Sequence, residues 1–339
     1  MAKKIYIGVG DVARNVKKIY IGVDGIARRV KKAYIGIGGV ARPILSNGLE
    51  YYGAISELSA ARSSLAATSI GDYALFGGGF GEAYYYSTVD AYNKSLTRST
   101  PTKLSAARSS LAATSIGDYA LFGGGVQLFG TVDEPTDGEV SKSTVDAYNK
   151  SLTRSTPTKL SLGRYNLAAT SIGDYALFGG GDSNPAGYSV IDAYNKSLTR
   201  STPTELSVWR RDLAATSIGD YALFGGGKVS DSTVDAYNKS LTRSTPTALS
   251  VGRYDLAATS IGDYALFGGG QINSCYSTVD AYDKSLTRST PTELSAARSS
   301  LAATSIGDYA LFGGGVGSGT DNTYCSTVDA YVIEQEIKE

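Results

Sequence analysis

Leu65–Gly79 reads LAATSIGDYALFGGG, and the same fifteen residues return from Leu111, Leu167, Leu213, Leu256 and Leu301. A second string follows each copy, STVDAY in five cases and SVIDAY in one, ending at Tyr92, Tyr148, Tyr194, Tyr237, Tyr282 and Tyr331. Six copies of a unit of this size imply a closed ring or a stacked array, because one such unit cannot bury its apolar face alone. Each unit reads as four short strands. LAATSI is small and apolar, suited to a crowded inner position, and GD signals a tight turn. YALFGGG is a second strand, STVDAY a third, and NKSL the next turn. LTRSTPT is polar and carries Pro (Pro101, Pro157), which confines it to the outer edge. Four antiparallel strands in this order describe a propeller blade.

The pattern resembles kelch repeats. The resemblance rests on the apolar run into glycines, on Tyr92 and its equivalents, and on an Arg three residues before each Leu. Those arginines are Arg62, Arg108, Arg164, Arg210, Arg253 and Arg298, and it covers about residues 48–339. The Trp that kelch repeats carry about seven residues after the Tyr is missing; position 99 is Ser. The expected fold is all-β, a six-bladed kelch-like propeller over residues 47–339. The sixth copy ends AYVIEQEIKE without an LTRSTPT strand, whereas residues 50–59, EYYGAISELS, end like the TELS at Thr204–Ser207. An N-terminal strand is therefore expected to complete the last blade and close the ring.

Copies differ in two places. Between GGG and the third strand the segment has 7, 17, 7, 4, 6 and 10 residues, and this one loop accounts for all length variation between copies. The string around the repeated Arg also changes: AARSS, AARSS, LGRYN, VWRRD, VGRYD, AARSS. An up-and-down sheet puts both places at one end of the ring, while the SIGD and NKSL turns at the other end barely vary. Of 25 Tyr, the eight outside the repeated strings and the N-terminal 52 residues all fall in these variable places, with the only Trp. Tyr and Trp give contact area at low entropy cost together with a polar handle. The candidate ligand-binding residues are thus Tyr84, Tyr85, Tyr86, Phe129, Tyr165, Tyr188, Trp209, Arg211, Tyr254, Tyr276 and Tyr324. The six repeated arginines are assigned a structural role, bonding a neighbouring blade's backbone, since a catalytic cluster would break the symmetry.

Enzyme chemistry finds little support. The chain has no His, which removes the usual general base and the commonest metal ligand. The GGG strings lack the Lys and helix of a phosphate loop. No catalytic residue, metal site or cofactor is expected. Two cysteines, Cys275 and Cys325, occupy nearly the same place in consecutive repeats; thiols are favoured over a disulfide, which two residues alone cannot decide.

Residues 5–46 carry a second repeat of period 14: IYIGVGDVARNVKK, IYIGVDGIARRVKK, AYIGIGGVARPILS. Each copy reads as a small hairpin, marginal on its own. Residues 1–46 hold ten Lys/Arg against two Asp/Glu, so the segment is basic and the remainder acidic within a chain of zero net charge. The period-14 motif resembles YIGVGGVARxVKK repeats of tail-associated proteins from phages and prophages of Gram-positive bacteria. That resemblance implies a tail or other assembly partner for residues 1–46, and a need for partner strands suggests a homotrimer. Neither a secretory signal nor a transmembrane run is read from the sequence. The expectation is a protein made in the cytoplasm and found on the virion or outside after lysis, binding a host-surface glycan or protein. Nucleic acid and membrane are not expected partners. The alternatives are an intracellular kelch-type scaffold and a bacterial surface adhesin.

Overall fold

The computed structural model describes the backbone of strands between residues 5 and 46, and residues 56–332 apart from 82–83, 129–138, 184–186, 229–231, 307–308 and 318–323. The chain forms two compact units, Met1–Ile55 and Ser56–Glu339. In the first, Ile5–Val9 pairs with Val12–Val16, Tyr20–Val23 with Ile26–Arg29, and Lys32–Ile37 with Val40–Ser46. These are three antiparallel hairpins at the period of the sequence.

The second unit is a six-bladed β-propeller. In blade 1 the inner strand Ala66–Ile70 pairs with Tyr73–Gly77, which pairs with Val89–Asn93, which pairs with Arg98–Ser99. Blades 2 to 5 repeat that order and register, and blade 6 has three described strands, Ala302–Ile306, Tyr309–Gly313 and Val328–Val332. The described residues contain no helix.

Local chemistry explains the regularity. Gly71 takes φ +56° in the two-residue turn after the inner strand, where a Cβ is disfavoured. At the next turn Asn93 Oδ1 accepts from the amides of Ser95 and Thr97, which holds Leu96 at φ +59°. The outer strand is shorter than LTRSTPT suggests. Only Arg98–Ser99 joins the ladder, because Pro101 has no amide to donate.

Blades pack through matched apolar faces. Leu75, Val89 and Ala91 of blade 1 meet Ala120, Phe122 and Tyr148 of blade 2, with Leu104 and Leu111 between them. The same set recurs at the next four junctions. The first two glycines of GGG serve this packing. A Cβ on Gly123 would lie 2.8 Å from the Phe178 ring of the next blade. Gly124 sits at φ +71°, where a Cβ would approach the Arg164 carbonyl to 2.6 Å.

The closing strand expected within residues 47–59 is described only from Ser56. Tyr92 Oη donates to the Ser56 carbonyl and Ser59 donates to Asp90, as Tyr148 does to Thr102 and Ser105 to Asp146. SELS therefore occupies the place that its likeness to TELS predicts. The rest of the closing strand lies outside the described residues. On blade 6 the face that elsewhere meets the next blade is open: Ile306 is 60% exposed where Ile70 is 4%.

Candidate recognition face

The two variable places form one surface. In every blade the residue after the repeated Arg bridges to the first residue beyond GGG: Ser63 to Phe80, Ser109 to Val126, Tyr165 to Asp182, Arg211 to Lys228, Tyr254 to Gln271, and Ser299 to Val316. One residue further, Ser64, Ser110, Asn166, Asp212, Asp255 and Ser300 all adopt left-handed backbone, φ 52–54°. Their amides and carbonyls link blade to blade, from Ser110 N–H on Ser64 O through to Ser300 N–H on Asp255 O. They rim the mouth of the central channel. A cavity of about 240 Å³ opens there, lined by Ser64, Ser110, Asn166 and Asp212 with Leu65, Leu111, Leu167 and Leu213.

Chemistry is unevenly spread round this rim. Blades 1, 2 and 6 present Ser-Ser at the junction, whereas blades 3, 4 and 5 present Tyr165-Asn166, Arg211-Asp212 and Tyr254-Asp255. These three are consecutive, so the polar and charged groups meet. Arg211 pairs with Asp182 and lies 3.6 Å from Asp212. Lys228 Nζ stands 5.3 Å from the centre of the Tyr254 ring, and Gln271 donates to Asp255 at 2.9 Å. Trp209 is 43% exposed and lies against Gly187, where a Cβ would come within 2.0 Å of its ring. Burial pushes the Asp212 carboxyl up to about 6; the Asp255 charge adds to the rise and Arg211 opposes it.

The expected aromatic residues fall into groups rather than one patch. On blade 1, Tyr84 and Tyr85 pair with Gly81 and Phe80, the Phe80 and Tyr85 rings lie 5.1 Å apart, and Tyr86 faces Arg62. Tyr165, Trp209, Arg211 and Tyr254 gather on blades 3 to 5, with Tyr188 hydrogen-bonded to Ser183 beside them. Tyr276 and Tyr324 belong to the loops of blades 5 and 6, and Tyr324 is 86% exposed. Phe129 lies outside the described residues. No disulfide joins Cys275 and Cys325; the Cys275 thiol donates to Val316 O at 3.3 Å.

The repeated arginines are buried, and their bonding corrects the expectation. Arg108 donates to the Phe122 carbonyl at 3.2 Å and to Asp146 at 2.8 Å, both in its own blade. Only its main chain reaches the preceding blade, accepting from Gly79 and donating to Tyr86. The side chain stays home because Asp146, wholly buried in the third strand, needs the charge. Arg154 and the amide and hydroxyl of Ser105 satisfy the rest of that carboxylate. In blade 1, burial alone would raise the Asp90 carboxyl, but Arg62, Arg98 and Ser59 hold it below the ordinary range.

Sequence reasoning passed over Asn166, Asp182, Asp212, Asp255, Lys228 and Gln271. Asn166, Asp212 and Asp255 end the strings LGRYN, VWRRD and VGRYD, and Asp182, Lys228 and Gln271 open the variable loops after GGG, so all six lie in the places where the copies differ. It also passed over the Asp of STVDAY, an acid recurring in an apolar strand alongside a recurring Arg.

No protein-family model matches the chain, and no curated protein does. Solved structures do match. One, described as the structure of YjhT, is 13% identical with a TM-score of 0.63, over 82% of this chain and 97% of that one. At that identity the likeness shows the fold alone.

Proposed function

We propose that this is a non-enzymatic recognition protein that binds a host-surface ligand through the variable end of the propeller, as a phage or prophage tail receptor-binding protein. One observation carries the reading. Both places where the repeats differ are joined by backbone pairs on one surface, and the added chemistry gathers on three consecutive blades of an otherwise uniform frame. Drift alone would scatter substitutions over both ends of the ring. The hairpin segment at residues 1–46 supports attachment to a larger assembly, through its likeness to tail-associated repeats and because isolated two-stranded hairpins need partner strands. Pull-down on intact Gram-positive cells tests the reading: the full chain sediments with cells of a susceptible host. Binding to no cell type in a broad panel, with capture of a cytoplasmic protein instead, supports the intracellular scaffold.

A further inference from the structure

The channel mouth of blades 3 to 5 has a composition that narrows the ligand. Asn166, Asp212 and Asp255 stand where the other blades carry Ser, each fixed on a left-handed residue tied to its neighbours by backbone bonds. Their side chains are therefore held on a rigid collar, as a preorganised site requires. Beside them Asp182 is 2% exposed; one carboxylate oxygen takes Arg211 and the other has no hydrogen-bond partner among the described residues. Buried unsatisfied acceptors are uncommon and invite a donor. Three carboxylates face two cations, Arg211 and Lys228, so the cluster has little net charge to offer an anion or a metal. No group of three or more metal-ligating side chains occurs among the described residues. Trp209 lies against the backbone at Gly187 and keeps 43% of its surface exposed, an aromatic platform beside the collar.

Acceptors in excess, a planar apolar platform and a near-neutral sum match one ligand chemistry. We infer that this half of the rim binds a neutral, hydroxyl-rich glycan: one sugar ring at the channel mouth donates to Asp212 and accepts from Asn166, and the chain continues across Asp255 and Trp209. The cavity of about 240 Å³ that Asn166 and Asp212 share with Ser64 and Ser110 is below the size usual for drug-like ligands, in keeping with a single ring. The inference rests on the recognition reading and sharpens it.

The test is an array of purified bacterial-wall polysaccharides, neutral ones alongside phosphate- and uronate-bearing ones, probed with the full chain and four variants. Trp209→Ala, Asp212→Asn and Asp255→Asn should each weaken binding to neutral polysaccharide at least tenfold. Lys94→Ala, in the NKSL turn at the invariant end of the ring, should leave it within twofold. Melting temperatures no lower than that of the unaltered chain show that the variants are folded. Binding confined to anionic polysaccharides, or neutral binding that survives all three rim variants, overturns the inference. So does adhesion to whole cells that persists after periodate has oxidised their glycans, which leaves the recognition reading standing with a protein receptor. Absence of binding to both array and cells brings down both.

Discussion

At the residue scale the most consequential group is the arginine–aspartate–arginine set in each blade. Asp192 is wholly buried and receives Arg164 and Arg200, at 2.7 Å each, and the amide and hydroxyl of Ser161. A buried pair adds little over an apolar replacement, but removing one member strands the other's charge. Asp192→Asn should therefore cost about 3–5 kcal/mol, read as a fall in denaturant midpoint. Asp212 behaves in the opposite sense. Its carboxyl is pushed up to about 6, above its ordinary value of 3.8. Ionising it in the fold thus costs stability, fully above pH 6 and not at all below about pH 4. Asp212→Asn should stabilise the protein at pH 7 by roughly 1–2 kcal/mol, with the two melting curves merging below pH 4. Asn suits the left-handed backbone and already stands at the equivalent Asn166. A residue whose removal stabilises the fold yet abolishes binding is retained for function.

Elements were largely legible because their punctuation is local. The GD turn, the NKSL turn and the alternation in STVDAY each act within a few residues, and the strands appear where these signals put them. The outer strand was overestimated because its length depends on what the neighbouring chain can pair with, and Pro101 ends the ladder early. The destination of the repeated Arg was also hidden. It depends on a carboxylate 28 residues away in the case of Arg164 and Asp192, and only the fold brings them together. GGG admits a test at this scale. Gly124→Ala places a methyl group at φ +71°, 2.6 Å from the Arg164 carbonyl, and should cost about 1–3 kcal/mol, measured by thermal unfolding. An alanine tolerated there would show that blades approach less closely than described.

For the whole molecule, identical blades give a frame in which difference is informative. Blade number and the variable end could be read by aligning the chain against itself. The ion pairs and hydrogen bonds within the group on blades 3 to 5 could not, because they arise from the bridges between its loops. The segment ahead of blade 1 belongs to this scale too. Ser56–Ser59 satisfies Tyr92 and Asp90, both buried, so deleting residues 47–59 should lower the melting temperature severely.

The most direct measurement is equilibrium binding of the full chain to intact cells of a susceptible Gram-positive host, comparing the unaltered protein, the Trp209→Ala/Tyr254→Ala double variant and Lys94→Ala. Saturable binding that the double variant loses and Lys94→Ala keeps is the predicted result. Equal binding by all three, with unchanged melting temperatures, would contradict a recognition site on blades 3 to 5.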